Sequence, residues 1–299
     1  MFCTTLGGIK PPFVRRHGKI RARFAKSKII TALFTLALLQ ASPSYGGDLE
    51  TSNILQTSIG IGAMDFDYQE FNDSERLNRE QGNLFGLTAA IQGHWGKNFV
   101  EADVAWFAND VDYDGQTQNG VPVNTTTDQV VVNSAALFGR YFQKHNKFQH
   151  ALVVGLGYRY WQRDINSTRT ALGVLETYTW WYGQLGWRGV YQPTSRSSWL
   201  AETKLVRPFA AEIEIDFRND FDNTSLGLGE ENGLQLNLTY QFKLAKNWRL
   251  DVEGFYTAWD IGRSREATLR QNGVAIGKVF EPESETRSAG LRVSGWYAF

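Results

Sequence analysis

The stretch Leu234-Gln-Leu-Asn-Leu-Thr-Tyr-Gln-Phe-Lys-Leu244 puts apolar side chains at 234, 236, 238, 240, 242 and 244 and polar ones at every position between. Successive side chains of a strand point to opposite faces, so a period of two over eleven residues predicts a strand with one apolar and one polar face. The same alternation recurs in Leu152 to Tyr160, Phe85 to Ile91, Val100 to Trp106 and Leu250 to Ala258. A half-buried soluble sheet alternates in the same way, so the pattern leaves the architecture open.

The turns narrow the choice. Short polar turns stand at Gly96-Lys-Asn98, Lys144-His-Asn-Lys147, Pro193-Thr-Ser-Arg196 and Lys246-Asn247. Their markers Lys97, Lys147, Arg196 and Lys246 are spaced by 50, 49 and 50 residues, and each is followed within three residues by Phe or Trp. Between them run polar connections, about 70 to 82, 109 to 128, 163 to 176, 214 to 232 and 262 to 285, which read as solvated loops. Tight turns at one end, long loops at the other and alternating strands of about ten residues predict an all-β fold: a closed antiparallel transmembrane β-barrel of ten strands. Closure follows because hydrocarbon offers no hydrogen-bond partner to a sheet edge. Trp95, Phe99, Trp106, Tyr141, Phe148, Tyr160, Trp161, Tyr191, Trp199 and Trp248 fall near the predicted strand ends, where interfacial girdles belong.

Composition agrees with export. Residues 1 to 46 hold eight Lys/Arg and no Asp or Glu, followed within that segment by the apolar run Ile29 to Leu39 and the small residues of Ala41-Ser-Pro-Ser-Tyr-Gly46. That order predicts a removed signal peptide over 1–46, cut after Ser44 or Gly46, ahead of a barrel domain over 47–299; an Arg-rich transit peptide is the rival reading. No later stretch approaches the roughly 20 apolar residues of a membrane helix. The remainder carries 23 Lys/Arg against 31 Asp/Glu, which argues against a nucleic-acid partner. The single cysteine, Cys3, excludes a disulfide framework and a thiolate metal cluster.

With the apolar face toward lipid, the other parity fills the lumen. It brings Glu101, Asp103, Arg140, Arg159, Arg188, Glu202, Lys204, Asp251, Glu253 and Arg292 inside, together with Asp65 and Asp67 if a bulge near Gly60-Ile-Gly62 corrects the parity of the first strand. Charges of both signs in so narrow a barrel predict either a paired, hydrogen-bonded plug or a selective path for ions. In the second connection, Asp110-Val-Asp-Tyr-Asp-Gly115 matches the start of a calcium loop, with Asp110, Asp112 and Asp114 as candidate ligands; the twelfth position is Val121 rather than Glu. A histidine base for surface hydrolysis would have to come from His94, His145 or His150, all at tight-turn ends.

The chain closes with Leu291-Arg-Val-Ser-Gly-Trp-Tyr-Ala-Phe299, which resembles the C-terminal assembly signal of bacterial outer-membrane β-barrel proteins: the terminal aromatic is Phe299, Tyr297 stands two before it, and apolar residues alternate ahead. The resemblance implies a Gram-negative outer membrane, insertion by the barrel-assembly machinery, both termini on the periplasmic side, and surroundings of outer-membrane lipid and lipopolysaccharide. Strand count and size also resemble the omptin surface proteases, whose catalytic histidine sits at the outer rim beside an Asp; no histidine here falls there, so the resemblance reaches the scaffold and stops short of the active site. The expectation is a non-enzymatic barrel without cofactors, structural or engaged in surface interactions through its outer loops with a ligand the sequence does not name. The alternatives are a narrow passive channel and an omptin-like hydrolase working through carboxylates alone.

Overall fold

The computed structural model describes residues 54–117, 119–142 and 147–299. The expected signal peptide, its cleavage sites and His145 lie outside the described residues. The main strands are β1 (Ile54–Asn72), β2 (Glu75–Trp95), β3 (Asn98–Gln116), β4 (Pro122–Tyr141), β5 (Phe148–Ile165), β6 (Leu175–Tyr191) and β7 (Ser197–Asp216), followed by the short β8 (Thr224–Gly227) and β9 (Gly229–Glu230). Then come β10 (Gly233–Lys243), β11 (Trp248–Gly262), the hairpin β12 (Ala267–Gln271) and β13 (Val274–Val279), and β14 (Glu283–Ala298). Each long strand pairs antiparallel with its neighbours in the order β10, β11, β14, β1 and so on to β7, and β7 pairs back onto β10. The result is a closed ring of ten strands, as the alternation and turn spacing predict.

β1 through β7 are 17 to 21 residues long, about twice the 9 to 11 residues a tilted strand needs to cross a bilayer. The surplus changes the reading of the expected loops. Most of residues 70–82 and 109–128 continue the strands, so β1 and β2 meet in a two-residue turn at Asp73-Ser74 with both residues at positive φ, and β3 reaches β4 through only 117–121. The connections that remain long are 217–232, where β8 and β9 pair with the upper ends of β7 and β11, and 263–282, which carries the β12–β13 hairpin.

Along β1, β3, β7 and β11 the polarity of the two faces inverts. On β3, Val100, Val104 and Trp106 point outward near the tight turns while Glu101 and Asp103 point inward; farther up the same outward face carries Asp110, Asp112 and Asp114, and Val111 and Tyr113 fill the interior. On β1, Ile59 and Ile61 face outward, 77% and 65% exposed, and above them Met64, Phe66 and Tyr68 face inward with almost no exposure. The register of β1 runs unbroken through Gly60 and Gly62. The expected bulge is therefore absent, and Asp65 and Asp67 face outward rather than into the lumen. On β7 the opposite device operates: a bulge with Ala210 at φ 51° adds one residue, so that Leu205 and Phe209 face outward while Ile213 and Ile215, of the same parity, turn inward.

Physically, the lower half is an inside-out protein with apolar residues toward hydrocarbon, and the upper half is an ordinary one with a dry core and a charged exterior. The apolar outer belt spans about nine residues per strand, for example Val100 to Ala108, in keeping with a band of about 25 Å. Aromatics frame it. Trp199 lies tilted against Tyr240 and Trp248 meets Tyr297 edge-on at the turn end, with centroids 4.9 and 5.1 Å apart, and Tyr158 meets Trp181 at the upper edge, 5.1 Å apart. Three aromatics expected in these girdles, Phe99, Tyr141 and Trp161, point inward instead; Phe99 and Trp161 are fully buried.

Candidate functional site in the lumen

The interior of the lower half is a polar chamber of about 290 Å³, its wall running from Arg159 and Trp259 at mid-barrel to His94, Arg249 and Trp296 near the turn end. Inward parity there delivers the expected charges. Arg188 Nε donates to Glu202 at 2.6 Å and its Nη1 to Glu101 at 3.1 Å, while Lys204 pairs with Glu202 at 2.8 Å. Arg292 pairs with Glu253 at 3.1 Å, and Asp251 is held by Arg249 at 2.7 Å, a partner the sequence reading missed. Gln92 donates to Glu101 at 2.8 Å and Gln241 to Asp251 at 3.2 Å. Arg188 and Arg292 also lie over Phe99 and Phe255, 4.6 and 4.1 Å from the ring centroids.

One residue expected inside is not there. Arg140 shares its parity with Phe138 and Ala136 on β4, so it projects outward at the turn end and is exposed. Leu137 and Gly139 are buried on the lumen side, so the alternation places position 140 outward.

Above the chamber the lumen is closed. Phe66, Tyr68, Leu84, Phe107, Val131, Trp161, Tyr178, Trp180, Ile213 and Trp259 belong to one buried cluster, joined at the mouth by Leu226, Leu269 and Val279 from the last two connections. Trp161 stacks on Tyr178 at 4.6 Å, and Trp180 meets Trp259 edge-on at 5.6 Å. Within this cap sits a fully buried guanidinium, Arg163, which donates to Glu70 at 2.9 Å, Glu80 at 2.8 Å and Glu176 at 2.7 Å, and to the hydroxyls of Tyr68 and Tyr178 at 3.1 and 2.9 Å. Glu80 further accepts from Thr127 at 3.0 Å and from Gln129, and Glu281 accepts from the Tyr178 hydroxyl. Glu281 lies between β13 and β14, outside the spanning strands; burial, then the nearby Glu70 and Glu176 carboxylates, hold its pKa well above the ordinary 4.5. Assigning residues 70–82 and 163–176 to loops is what hid this network. The alternation of Glu176, Tyr178, Trp180 and Tyr182 on one face of β6 was the signal available.

Asp110, Asp112 and Asp114 stand on a regular strand and all face solvent. Alternate residues of a strand are about 6.8 Å apart, whereas a calcium loop converges its carboxylates around one ion. Among the described residues no three of His, Cys, Asp and Glu are placed to hold a metal. At the turn end, His94 faces the chamber and His150 faces outward, accepting from Trp187 Nε1 at 3.2 Å. Tyr297 lies against Trp248 on the outer face of β14, and Phe299 is 70% exposed.

No protein-family model matches the chain, and no curated protein does. Solved structures do resemble it. The outer-membrane protease OmpT of Escherichia coli superposes with a TM-score of 0.59 at 10% identity, over 85% of this chain and 99% of that one. The outer-membrane protein OprG of Pseudomonas aeruginosa aligns over 84% of this chain and 97% of that one, at 14% identity and a TM-score of 0.43. At such identities a likeness speaks for the fold, and in fold the chain is an omptin-like, ten-stranded outer-membrane β-barrel.

Proposed function

We propose that this is a non-conducting, non-enzymatic barrel of the outer membrane that acts through the surface of its upper half. The observation that carries the reading is the cap: one continuous buried cluster across the lumen from β1 to β11, with Arg163 neutralised inside it. Ions need a wetted path, and close-packed aromatics leave none. The outward face above the apolar belt carries acids on β1, β3, β4, β5 and β7, among them Asp65, Asp112, Asp128, Asp164 and Glu214. Such a collar suits contact with the phosphate layer of lipopolysaccharide through bridging divalent cations, at the height where headgroups would lie.

The turn end, which also holds both ends of the described barrel, would face the periplasm, with Tyr297 and Phe299 presented to the assembly machinery. A hydrolase reading has the likeness to OmpT behind it, yet neither described histidine of the barrel lies at the loop end, and chemistry there would fall to carboxylates such as Asp216 or Asp220. The purified protein in planar bilayers at high salt is expected to stay silent at both polarities. Reproducible ion steps would make it a small channel; hydrolysis of peptide or ester substrates lost in Asp216→Asn would make it an enzyme.

A further inference from the structure

Of the inward-facing cations among the described residues, all but one are ion-paired: Arg163, Arg188, Lys204, Arg249 and Arg292 each have a carboxylate within 3.1 Å. The exception is Arg159. It is 3% exposed, lies at the top of the chamber, and makes a single side-chain hydrogen bond, from Nη1 to Asn133 Oδ1 at 3.1 Å. Its guanidinium is enclosed by Trp180, Trp259 and Trp161, with centroids 5.3, 5.6 and 6.0 Å away. Asp103, on β3, lines the same chamber but makes no ion pair with it within 4 Å.

Three of the interior's unpartnered polar atoms lie on side chains packed around this guanidinium. Arg159 Nε, Trp180 Nε1 and Trp259 Nε1 are buried without a hydrogen-bond partner. All three are donors, on side chains in mutual contact. A buried donor without a partner is destabilising, and an unpaired buried charge more so. What satisfies such a set is an acceptor carrying negative charge, and the chamber is both large enough and open to solvent past the partly exposed Arg249.

We propose that Arg159, with the indole N–H groups of Trp180 and Trp259, forms a binding site for a small anion, from a halide to a carboxylate in size, entered from the turn end. The barrel is then a dead-end receptor for that anion rather than a conduit, since the cap lies directly above. Cation–π contact holds the guanidinium in place while leaving its edge free to donate.

The test titrates bromide into the purified protein in detergent, exchanging it for a bulky sulfonate at constant ionic strength, and follows the unfolding temperature. A saturable rise is expected, weakened about tenfold or more in Arg159→Met and retained in Lys278→Gln, on the exposed β12–β13 hairpin away from the chamber. A response that never saturates, or that is unchanged in Arg159→Met, overturns the site. Should Arg159→Met fail to fold, anomalous scattering from crystals of the unsubstituted protein in bromide decides: a peak at hydrogen-bonding distance from Arg159 supports the site, and a chamber without one refutes it.

Discussion

The guanidinium of Arg163 is fully buried and is held by carboxylates and phenols from β1, β2 and β6. Removing it would leave the buried Glu70, Glu80 and Glu176 without the cation that pairs with all three, so Arg163→Met is expected to cost about 3–5 kcal/mol at neutral pH, measured by urea unfolding in detergent. A loss under 1 kcal/mol would mean the cap does not depend on the pair. Glu281 gives a pH test of the opposite sign from the usual carboxylate. Its pKa is raised, so the stability it contributes is complete below about 4.5 and is lost as pH climbs toward the folded value. Glu281→Gln keeps an acceptor for Tyr178 and stays neutral, so it is expected to flatten the fall in unfolding temperature above pH 4.5; an unchanged slope would show that Glu281 is ionised in the fold. Of the lumen charges, Glu101, Asp103, Arg159, Arg188, Glu202, Lys204, Asp251, Glu253 and Arg292 were legible from parity alone, because each alternates with a lipid-facing neighbour. Arg163 and its glutamates were not, because polarity outside the presumed belt reads as solvent.

At the level of the strand, alternation told which residues form sheet but not where the lipid stops. Glu212-Ile-Glu-Ile-Asp216 keeps the period of two that marks β7, yet with the acids outward, and a reading that expects one greasy outer face throughout takes it for loop from 214 onward. Two substitutions separate the zones. Leu156→Arg, in the outward belt of β5, is expected to cost about 2–4 kcal/mol in a bilayer, whereas Asp112→Asn, outward on β3 above the belt, should leave the unfolding free energy unchanged. Equal effects would move the boundary. Close approach across strands is also specific: a Cβ at Gly157 would fall within the Tyr182 ring, which passes over β5 toward the Ser134 carbonyl. Gly157→Val is therefore expected to lose about 1–3 kcal/mol by overpacking, read from the heat-modifiable gel shift; wild-type behaviour would show that Tyr182 can swing aside.

For the molecule as a whole, the inversion of polarity along the strands divides one barrel into two environments stacked on a common axis. Below, hydrocarbon is outside and water inside; above, water is outside and the interior is dry. The two connections that fold over the mouth complete the dry half, and Asp222 ties them together by accepting from the backbone N–H groups of Asn272 and Gly273, at 3.0 and 2.9 Å. Ring closure and strand number were readable in advance because they follow from turn spacing, while the cap was not, since it depends on which aromatics share a height once ten strands are staggered.

The most direct measurement of this arrangement is spin-label accessibility at four single-cysteine sites in liposomes: Val104 and Asp112 on the outer face, Thr239 in the chamber and Val131 in the cap. The account predicts contact with dissolved oxygen at 104, with a water-soluble nickel chelate at 112 and 239, and with neither at 131. Nickel access at 131 equal to that at 239 would mean a continuous water path through the barrel and would contradict it.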